Sequence, residues 1–329
     1  MKGERCTVII PNIDGERYLH GCLEALRVQS MSDYCVILVD NGSTDGSLAL
    51  VREEFPEVRV IELGENMGFA KAINHGIEAA GGEFVVLLNN DTRVASDWLE
   101  ELLACLERRP AAAAAGSKTL LMCDESRVDG AGDVMDWTFL PHPRGHGERD
   151  GEHFDEELQT FSAAGAACAW RAAALRDIGL FDEDFFSYYE DVDLAFRARL
   201  LGYECWYAPK SVALHARGAW SAGRSEFTFF HPVKNRWFMI LKNTPAPLFA
   251  RHLHRIAFGE AYWWRQALRE RKVRVVLRAY AAVARALPRV VRKRREVQAR
   301  RRTSVREVDR ALRPATAGVI HSARRTSDQ

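Results

Sequence analysis

The sequence predicts an α/β fold: a mostly parallel central sheet flanked by helices, followed by a basic helical extension. Three observations predict it. Short apolar, β-branched runs alternate with segments whose apolar residues recur at helical spacing, as in βαβ units. Three of the first four runs end in polar or acidic loops, and the carboxyl ends of strands are where open parallel sheets bind ligands. The charge is also split. The 329 residues carry a net charge of +1, yet from Leu248 onward there are 22 Lys and Arg against 6 Asp and Glu.

The elements follow in order. Residues 7–10 read as a strand that ends at Pro11-Asn12, and Leu19, Cys22, Leu23 and Leu26 mark the first helix. Residues 35–39 are a second strand, closed by Asp40-Asn41-Gly42-Ser43. Ser43 or Thr44 is expected to cap the next helix, which carries Leu48 and Val51. Residues 58–63 are a third strand, and Ala70, Ile73 and Ile77 mark a third helix. Residues 84–88 are a fourth strand, ending at Asn89-Asn90-Asp91, and Ser96 or Asp97 starts the helix of Trp98, Leu99 and Leu102. Residues 124–157, rich in Gly, Asp, His and Pro, read as long loops over the sheet edge, with His142, His146 and His153 as exposed loop histidines rather than a metal set. A strand-like run at 204–207 precedes His215, and beyond Leu248 the chain is helical.

Composition excludes several classes. With 47% hydrophobic and 28% charged residues the chain is globular rather than disordered. Its seven cysteines form no CxxC pair and several lie in apolar runs, which suits free thiols in a reducing compartment. The apolar stretch behind Lys2 and Arg5 is only Val8-Ile9-Ile10, too short for a signal peptide. No apolar run approaches the ~18 residues that span a bilayer. The expected location is cytoplasmic, with membrane contact only peripheral.

Certain residues suit chemistry by type and place. Asp91, on a tight loop after a buried strand, suits a hard divalent cation, Mg²⁺ or Mn²⁺, with phosphate oxygens and water completing its shell; the alternative is a helix cap. Asn12, Asp14 and Asp40 sit on neighbouring loops and suit the ribose and base of a nucleotide. Gly68, beside Asn66, permits close backbone approach at a helix start, and Lys71 and Asn74 share a face that either meets a phosphate or is simply solvated. In residues 181–197 acids alternate with aromatics. Asp193 and Arg197, at i,i+4, are expected to pair. Asp191 shares a face with Leu194, Ala195 and Ala198, and a carboxylate against an apolar wall has the raised pKa of a general base. The plainer account is an acid placed favourably at a helix N-terminus. His215 alone is a structural histidine and gains interest only beside a metal at Asp91.

These segments together resemble the GT-A family 2 glycosyltransferases, in particular the rhamnosyltransferase-like branch. The resemblance runs from Val8 to about Asn243. It rests on Ile9-Ile10-Pro11-Asn12, the run Val39-Asp40-Asn41-Gly42-Ser43-Thr44-Asp45-Gly46-Ser47, and Asn66-Met67-Gly68-Phe69-Ala70. It continues through Leu88-Asn89-Asn90-Asp91-Thr92, Asp129-Gly130-Ala131-Gly132 and Glu190-Asp191-Val192-Asp193-Leu194. Each is weak singly; their order and spacing are specific. The resemblance implies a GT-A domain over residues 1–245, with a nucleotide-sugar half to about 120 and an acceptor half beyond it. A basic helical extension over 246–313 and a flexible tail over 314–329 would follow. It implies Asp191 as the catalytic base of an inverting transfer. Pro11, Asn12, Asp14, Asp40, Asn66, Gly68, Lys71, Asn89 and Asn90 would bind the nucleotide sugar. Asp91 and His215 would hold the cation, although Asn89 and Asn90 stand where the family's acidic motif usually has Asp. Gly130, Gly132, Gly165, Ala166 and Glu190 would shape the sugar and acceptor pocket. The implied donor is dTDP-L-rhamnose, with UDP-sugars behind it, and the acceptor a bacterial cell-surface glycan or lipid-linked sugar. A nucleotidyltransferase and a non-catalytic sugar-nucleotide scaffold are the rival functions; the first would want a glycine-rich, basic phosphate loop where Pro11-Asn12-Ile13-Asp14-Gly15 stands. The basic extension suits an anionic membrane surface or a homodimer contact. Nothing in the body supports nucleic acid.

Overall fold

The computed structural model describes residues 4–217 and 226–312. The N-terminal half alternates β1 (Cys6–Asn12), α1 (Glu16–Arg27), β2 (Tyr34–Asp40), α2 (Ser47–Glu54), β3 (Arg59–Glu62), α3 (Phe69–Ala79) and β4 (Phe84–Leu88). β5 (Thr92–Val94), α4 (Trp98–Arg108), β6 (Ala112–Leu121), β7 (Asp124–Gly130), β8 (Asp133–Met135), β9 (Pro141–Pro143) and β10 (Leu158–Thr160) follow. The remainder holds β11 (Ala167–Arg171), α5 (Ala172–Ile178), α6 (Glu190–Leu200) and β12 (Glu204–His215). It closes with the helices α7 (Glu226–Asn243), α8 (Ala246–Arg269), α9 (Val273–Ala299) and α10 (Val305–Ala311).

The main path of the sheet runs β10-β12-β6-β11-β4-β1-β2-β3. β4, β1, β2 and β3 are parallel, and β11 lies antiparallel between β4 and β6. The chain steps outward from β1 to β3 and then returns to the other side of β1 as β4. That reversal opens a crevice outside the carboxyl ends of β1 and β4, which is where ligands bind in such sheets. Alternation along β1 explains both layers. Val8 and Ile10 join Leu19, Leu23 and Leu26 of α1 and Trp98 and Leu102 of α4 on one face. Ile9 joins Ile73 of α3, Leu175 of α5 and Leu194 and Ala198 of α6 on the other.

A further core lies beyond the sheet. Val192, Phe196 and Leu200 of α6 pack with Phe238 and Met239 of α7, Leu248 and Ile256 of α8, Val290 of α9 and Val308 of α10. The basic helices therefore share apolar core with the body. They also meet it through ion pairs: Lys293 with Asp182 and Asp184, Arg289 with Asp184, and Arg300 and Arg302 with Asp177.

Three expectations change. Residues 124–157 are not simply loops: β7 pairs with β6, and β8 with β9. Strands this short, broken by Gly and Pro, leave no periodicity to read. Of their histidines only His153 is exposed, while His142 bonds Asp136 and His146 packs on Asp129. Ser43 and Thr44 cap nothing, because α2 begins at Ser47 after Gly46; Ser43 is instead drawn to Asp40. The tail assigned to 314–329 lies outside the described residues.

Candidate active site

A network of short polar side chains builds the crevice floor. Asn90 Nδ2 donates to Asn12 Oδ1 at 2.7 Å, and Asn12 Nδ2 donates to Asp40 Oδ1 at 3.2 Å and to Ser43 Oγ at 3.1 Å. Asp40 also accepts from the backbone of Gly42 and Ser43. Gly15 leaves room for this: a Cβ there would lie 2.1 Å from Asn90 Nδ2. On the next loop Asn41 Nδ2 donates to Asn66 Oδ1 at 3.1 Å, and Asn66 Oδ1 accepts from Gly68 N at 3.0 Å. Gly68, at φ +88°, allows the ring of Phe186 to pack where a Cβ would collide.

Above this floor is a cavity of about 270 Å³. Pro11, Asn12, Asn41, Asn66, Asn89, Asn90 and Asp91 line one side, and Gly165, Ala166, Phe186, Tyr188, Glu190, Asp191 and Phe227 the other. Sequence and structure thus bring together Pro11, Asn12, Asn66, Asn89, Asn90, Asp91, Gly165, Ala166, Glu190 and Asp191. The remaining sequence candidates lie outside its walls. Asp14 accepts from Thr44 N at 2.7 Å, and Asp40 lies in the floor network, accepting from Asn12 and from its own loop. Lys71 is half-buried on α3 away from the cavity, and Asn74, expected on the same open face, is buried and bonded to Phe181. Gly130 faces Thr119, and Gly132, at φ +80°, packs on Thr160.

Glu190 and Asp191 open α6 and share its N-terminal turn. Asp191 Oδ2 accepts from Gly165 N at 3.1 Å and Oδ1 from Val192 N at 2.7 Å, so its carboxylate is held in one orientation. Burial raises its pKa, opposed by those two backbone donors. Glu190 is 7% exposed and its Oε2 has no partner among the described residues. Burial, then the charge of Asp191, pushes it up to about 8. Asn89 Oδ1, across the cavity, is likewise buried without a hydrogen-bond partner. Such orphaned atoms facing a cavity are normally satisfied by water or ligand. Behind Asp191, burial and the Asp191 charge lift Asp133 to about 7, and Ser162 Oγ donates to it at 2.9 Å.

The inward acid of α6 differs from expectation. Asp193, not Asp191, is fully enclosed, pairing with Arg197 at 2.9 Å as its spacing implies, and with Lys242 at 2.8 Å. α6 is sandwiched between sheet and C-terminal helices, so both of its faces point inward. Asp191 is half-buried and opens to the cavity.

His215 reaches the site through strand pairing: β12 lies antiparallel to β5 with His215 opposite Thr92, next to Asp91. Its Nε2 stands 3.3 Å from Asp91 Oδ1, and its Nδ1 is 2.8 Å from Asp129 Oδ2. Burial lowers the pKa of His215, but the bonds to Asp129 and Asp91 outweigh it and lift it to about 9. Asp129, buried among His215, His146 and Arg217, is held well below the usual carboxylate range: burial raises it, and the bonds from the two histidines outweigh that. The donor set fits a divalent cation. Two ligands at right angles on a metal at about 2.1 Å stand about 3.0 Å apart, close to the His215–Asp91 separation. A histidine whose second nitrogen is tied to a carboxylate has the usual setting of a metal ligand. No group of three such ligands occurs among the described residues, so phosphate oxygens and water would have to complete the shell.

Sequence reasoning missed Asp129 as the partner of His215, Asp133 behind Asp191, and the aromatic wall of Phe186, Tyr188 and Phe227. The signal for Asp133 was present, an acid directly before the apolar Val134. The others depend on pairings distant in sequence.

Fold and cleft together are those of a GT-A α/β transferase. The chain belongs to glycosyl transferase family 2: the pattern described as Glycosyl transferase family 2 matches residues 7–153, and that of Glycosyl transferase family group 2 matches residues 84–284. It is 29% identical over 231 residues to the N-acetylglucosaminyl-diphospho-decaprenol L-rhamnosyltransferase of Mycobacterium tuberculosis, covering 63% of this chain and 74% of that one. Among solved structures, S. aureus TarS 1-349 in complex with UDP-GlcNAc superposes with a TM-score of 0.58 at 20% identity, covering 98% of this chain and 92% of that one. The Pyrobaculum calidifontis mannosyltransferase in complex with GDP-Man and Mn²⁺ superposes at 0.55 and 20% identity, covering 94% and 86%. At those identities the structures speak for the fold.

Proposed function

We propose that the protein transfers a sugar from a nucleotide diphosphate donor to an acceptor hydroxyl with inversion, and that Asp191 is the base. The observation that carries this is the carboxylate of Asp191, held by Gly165 N–H and Val192 N–H at the cavity wall opposite the strand ends. Asn12, Asn41, Asn66, Asn89 and Asn90 present amides to the nucleotide, and Asp91 and His215 would hold Mg²⁺ or Mn²⁺. A cation bound there would neutralise charge developing on the departing diphosphate. Asp191 takes the proton from the acceptor hydroxyl, whose oxygen attacks the anomeric carbon from the face away from the nucleotide. One displacement suffices and no covalent enzyme intermediate forms. Glu190, protonated through much of the neutral range, donates a hydrogen bond to a sugar hydroxyl.

The donor we favour is dTDP-L-rhamnose, as the motif resemblance implies, and the acceptor a bacterial cell-surface glycan or lipid-linked sugar. A UDP-sugar is the second reading. The proposed place of action is the cytoplasmic face of the membrane; no helix among the described residues is long and apolar enough to cross it.

The test is Asp191→Asn assayed with a panel of nucleotide sugars. Loss of a general base lowers kcat by roughly 10²- to 10⁴-fold, while donor binding by calorimetry persists. In the native protein kcat/KM should fall as pH drops through a base pKa above the usual aspartate value of 3.8, because burial raises it. Full turnover by the Asn variant would sink the assignment.

A further inference from the structure

Seven large hydrophobic side chains are exposed among the described residues, and six of them lie on one helical pair: Leu253, Phe258, Tyr262 and Leu268 of α8, Leu277 and Leu287 of α9. A scattered exposed leucine needs no explanation, but a concentration of this kind does. Helical spacing shows where they point. On α8 the buried stripe is His252, Ile256, Gly259 and Ala267, and Phe258, Ala261, Arg265 and Leu268 lie on the opposite face. On α9 the buried stripe is Val275, Val276, Ala279 and Val290, and Arg274, Leu277, Ala281, Arg285, Pro288 and Arg292 lie opposite it at successive spacings of three, four, four, three and four.

A three-residue turn folds α9 back along α8, so that Trp264 meets Tyr280 at 6.0 Å between ring centroids. Between them runs a shallow groove lined by Glu260 and Trp264 of α8, by Tyr280, Val283, Ala284 and Leu287 of α9, and by Trp237 and Leu241 of α7, with the one acid, Glu260, paired to Arg236 and bonded by Tyr280. Around each helix the order is the same: buried stripe, groove side, exposed stripe. In an antiparallel pair that order turns both exposed stripes to one side. The result is an apolar strip with an open groove, bordered by arginines.

Its charge indicates what covers it. Arg265, Arg274, Arg285 and Arg292 are exposed and make no ion pair among the described residues, whereas Arg289, Lys293, Arg300 and Arg302 are engaged by the acids of the body. A second copy of the same face would bring like charges together. Water satisfies the arginines but not Phe258 and Leu268, each 67% exposed. A surface combining apolar depth with anionic headgroups satisfies both.

We propose that the outward face of α8–α9 docks onto an anionic phospholipid bilayer, with Phe258, Leu268 and Leu277 entering the headgroup boundary and Arg265, Arg274, Arg285 and Arg292 pairing with lipid phosphates. The proposal is independent of the transfer chemistry. The experiment is co-sedimentation of the full chain with vesicles of phosphatidylcholine containing phosphatidylglycerol, and with pure phosphatidylcholine, at low and high salt. Two triple variants are compared: Phe258→Ser with Leu268→Ser and Leu277→Ser, and Arg274→Gln with Arg285→Gln and Arg292→Gln. Circular dichroism checks that both remain folded. Binding to the anionic vesicles is expected, weakened by salt, with the arginine variant losing on the order of 10- to 100-fold in partitioning and the apolar variant at least ~10-fold. No binding by the native chain, equal binding to neutral vesicles, or undiminished binding by either variant overturns the proposal. So does a concentration-dependent dimer in sedimentation equilibrium that the apolar variant disperses, because that assigns the face to a second copy.

Discussion

At the scale of single residues, environment sorts chemically identical acids into different jobs. Asp182 is claimed by Lys242 and Lys293, Asp193 by Arg197 and Lys242, and Asp177 by two arginines, all structural pairs. Asp191 and Glu190 have no cationic partner among the described residues and face the cavity. The run 190–193 was therefore legible in sequence as special, and its spacing paired Asp193 with Arg197, but the second partner of Asp193, Lys242, comes from α7 and has no local signal. Asp129 shows the same limit, since the histidine it holds arrives on β12. Its 2.8 Å contact with His215 Nδ1 aims Nε2 at Asp91. Asp129→Asn removes the carboxylate behind a would-be metal ligand and should weaken Mn²⁺ binding by roughly 10- to 100-fold, measured by Mn²⁺ titration without donor. Asp91→Asn and His215→Ala serve as references. If they lose Mn²⁺ and Asp129→Asn does not, the aiming role is wrong; if none loses it, the cation site lies elsewhere.

At the scale of elements, the loop that carries Phe186 and Tyr188 into the site is strained, since these two and Tyr189 hold positive φ. One amide of α7 bonds several of its carbonyls. Asn235 of α7, fully buried, sets its Nδ2 2.9, 2.8 and 2.7 Å from the carbonyls of Phe185, Ser187 and Tyr188, which share its two N–H groups. Asn235→Ala leaves those carbonyls short of a donor, at about 1–3 kcal/mol for a buried group left unsatisfied. The expected result is a lowered melting temperature and a kcat reduced more than donor affinity, because Glu190 and Asp191 follow directly on this loop. Unchanged kcat with lowered stability would make Asn235 purely structural. Nothing in the sequence marked Asn235. By contrast, β1 to β4 and their helices were legible from local periodicity, and their register placed Asn12, Asp40 and Asn89 on one rim without further information. β5, β11 and β12 make non-local pairings, and those pairings deliver His215 and Gly165.

At the scale of the whole molecule, the sequence suggests an acidic body with a basic helical extension, and the structure ties the two together. From Leu248 the chain carries a net +16 and the rest a net −15. Part of that separation is closed internally by the pairs of Lys293, Arg289, Arg300 and Arg302 with Asp177, Asp182 and Asp184. More decisive is the apolar seam, in which Val192, Phe196 and Leu200 of α6 bury against side chains of α8, α9 and α10. α6 begins with Glu190 and Asp191, so the extension backs the very helix that presents the proposed base. A chain ending at residue 245 would expose that seam and leave Asp182 and Asp184 without their lysine and arginine from α9. Each large apolar side chain returned to water costs roughly 1.5–3 kcal/mol, and several of them exceed the 5–15 kcal/mol by which a typical domain is stable. The truncated chain should therefore be insoluble, or compact with its near-ultraviolet circular dichroism lost, and inactive. A soluble truncated chain with native near-ultraviolet signal and retained turnover would show that the extension is a separable appendage and that α6 holds its place from the sheet side alone.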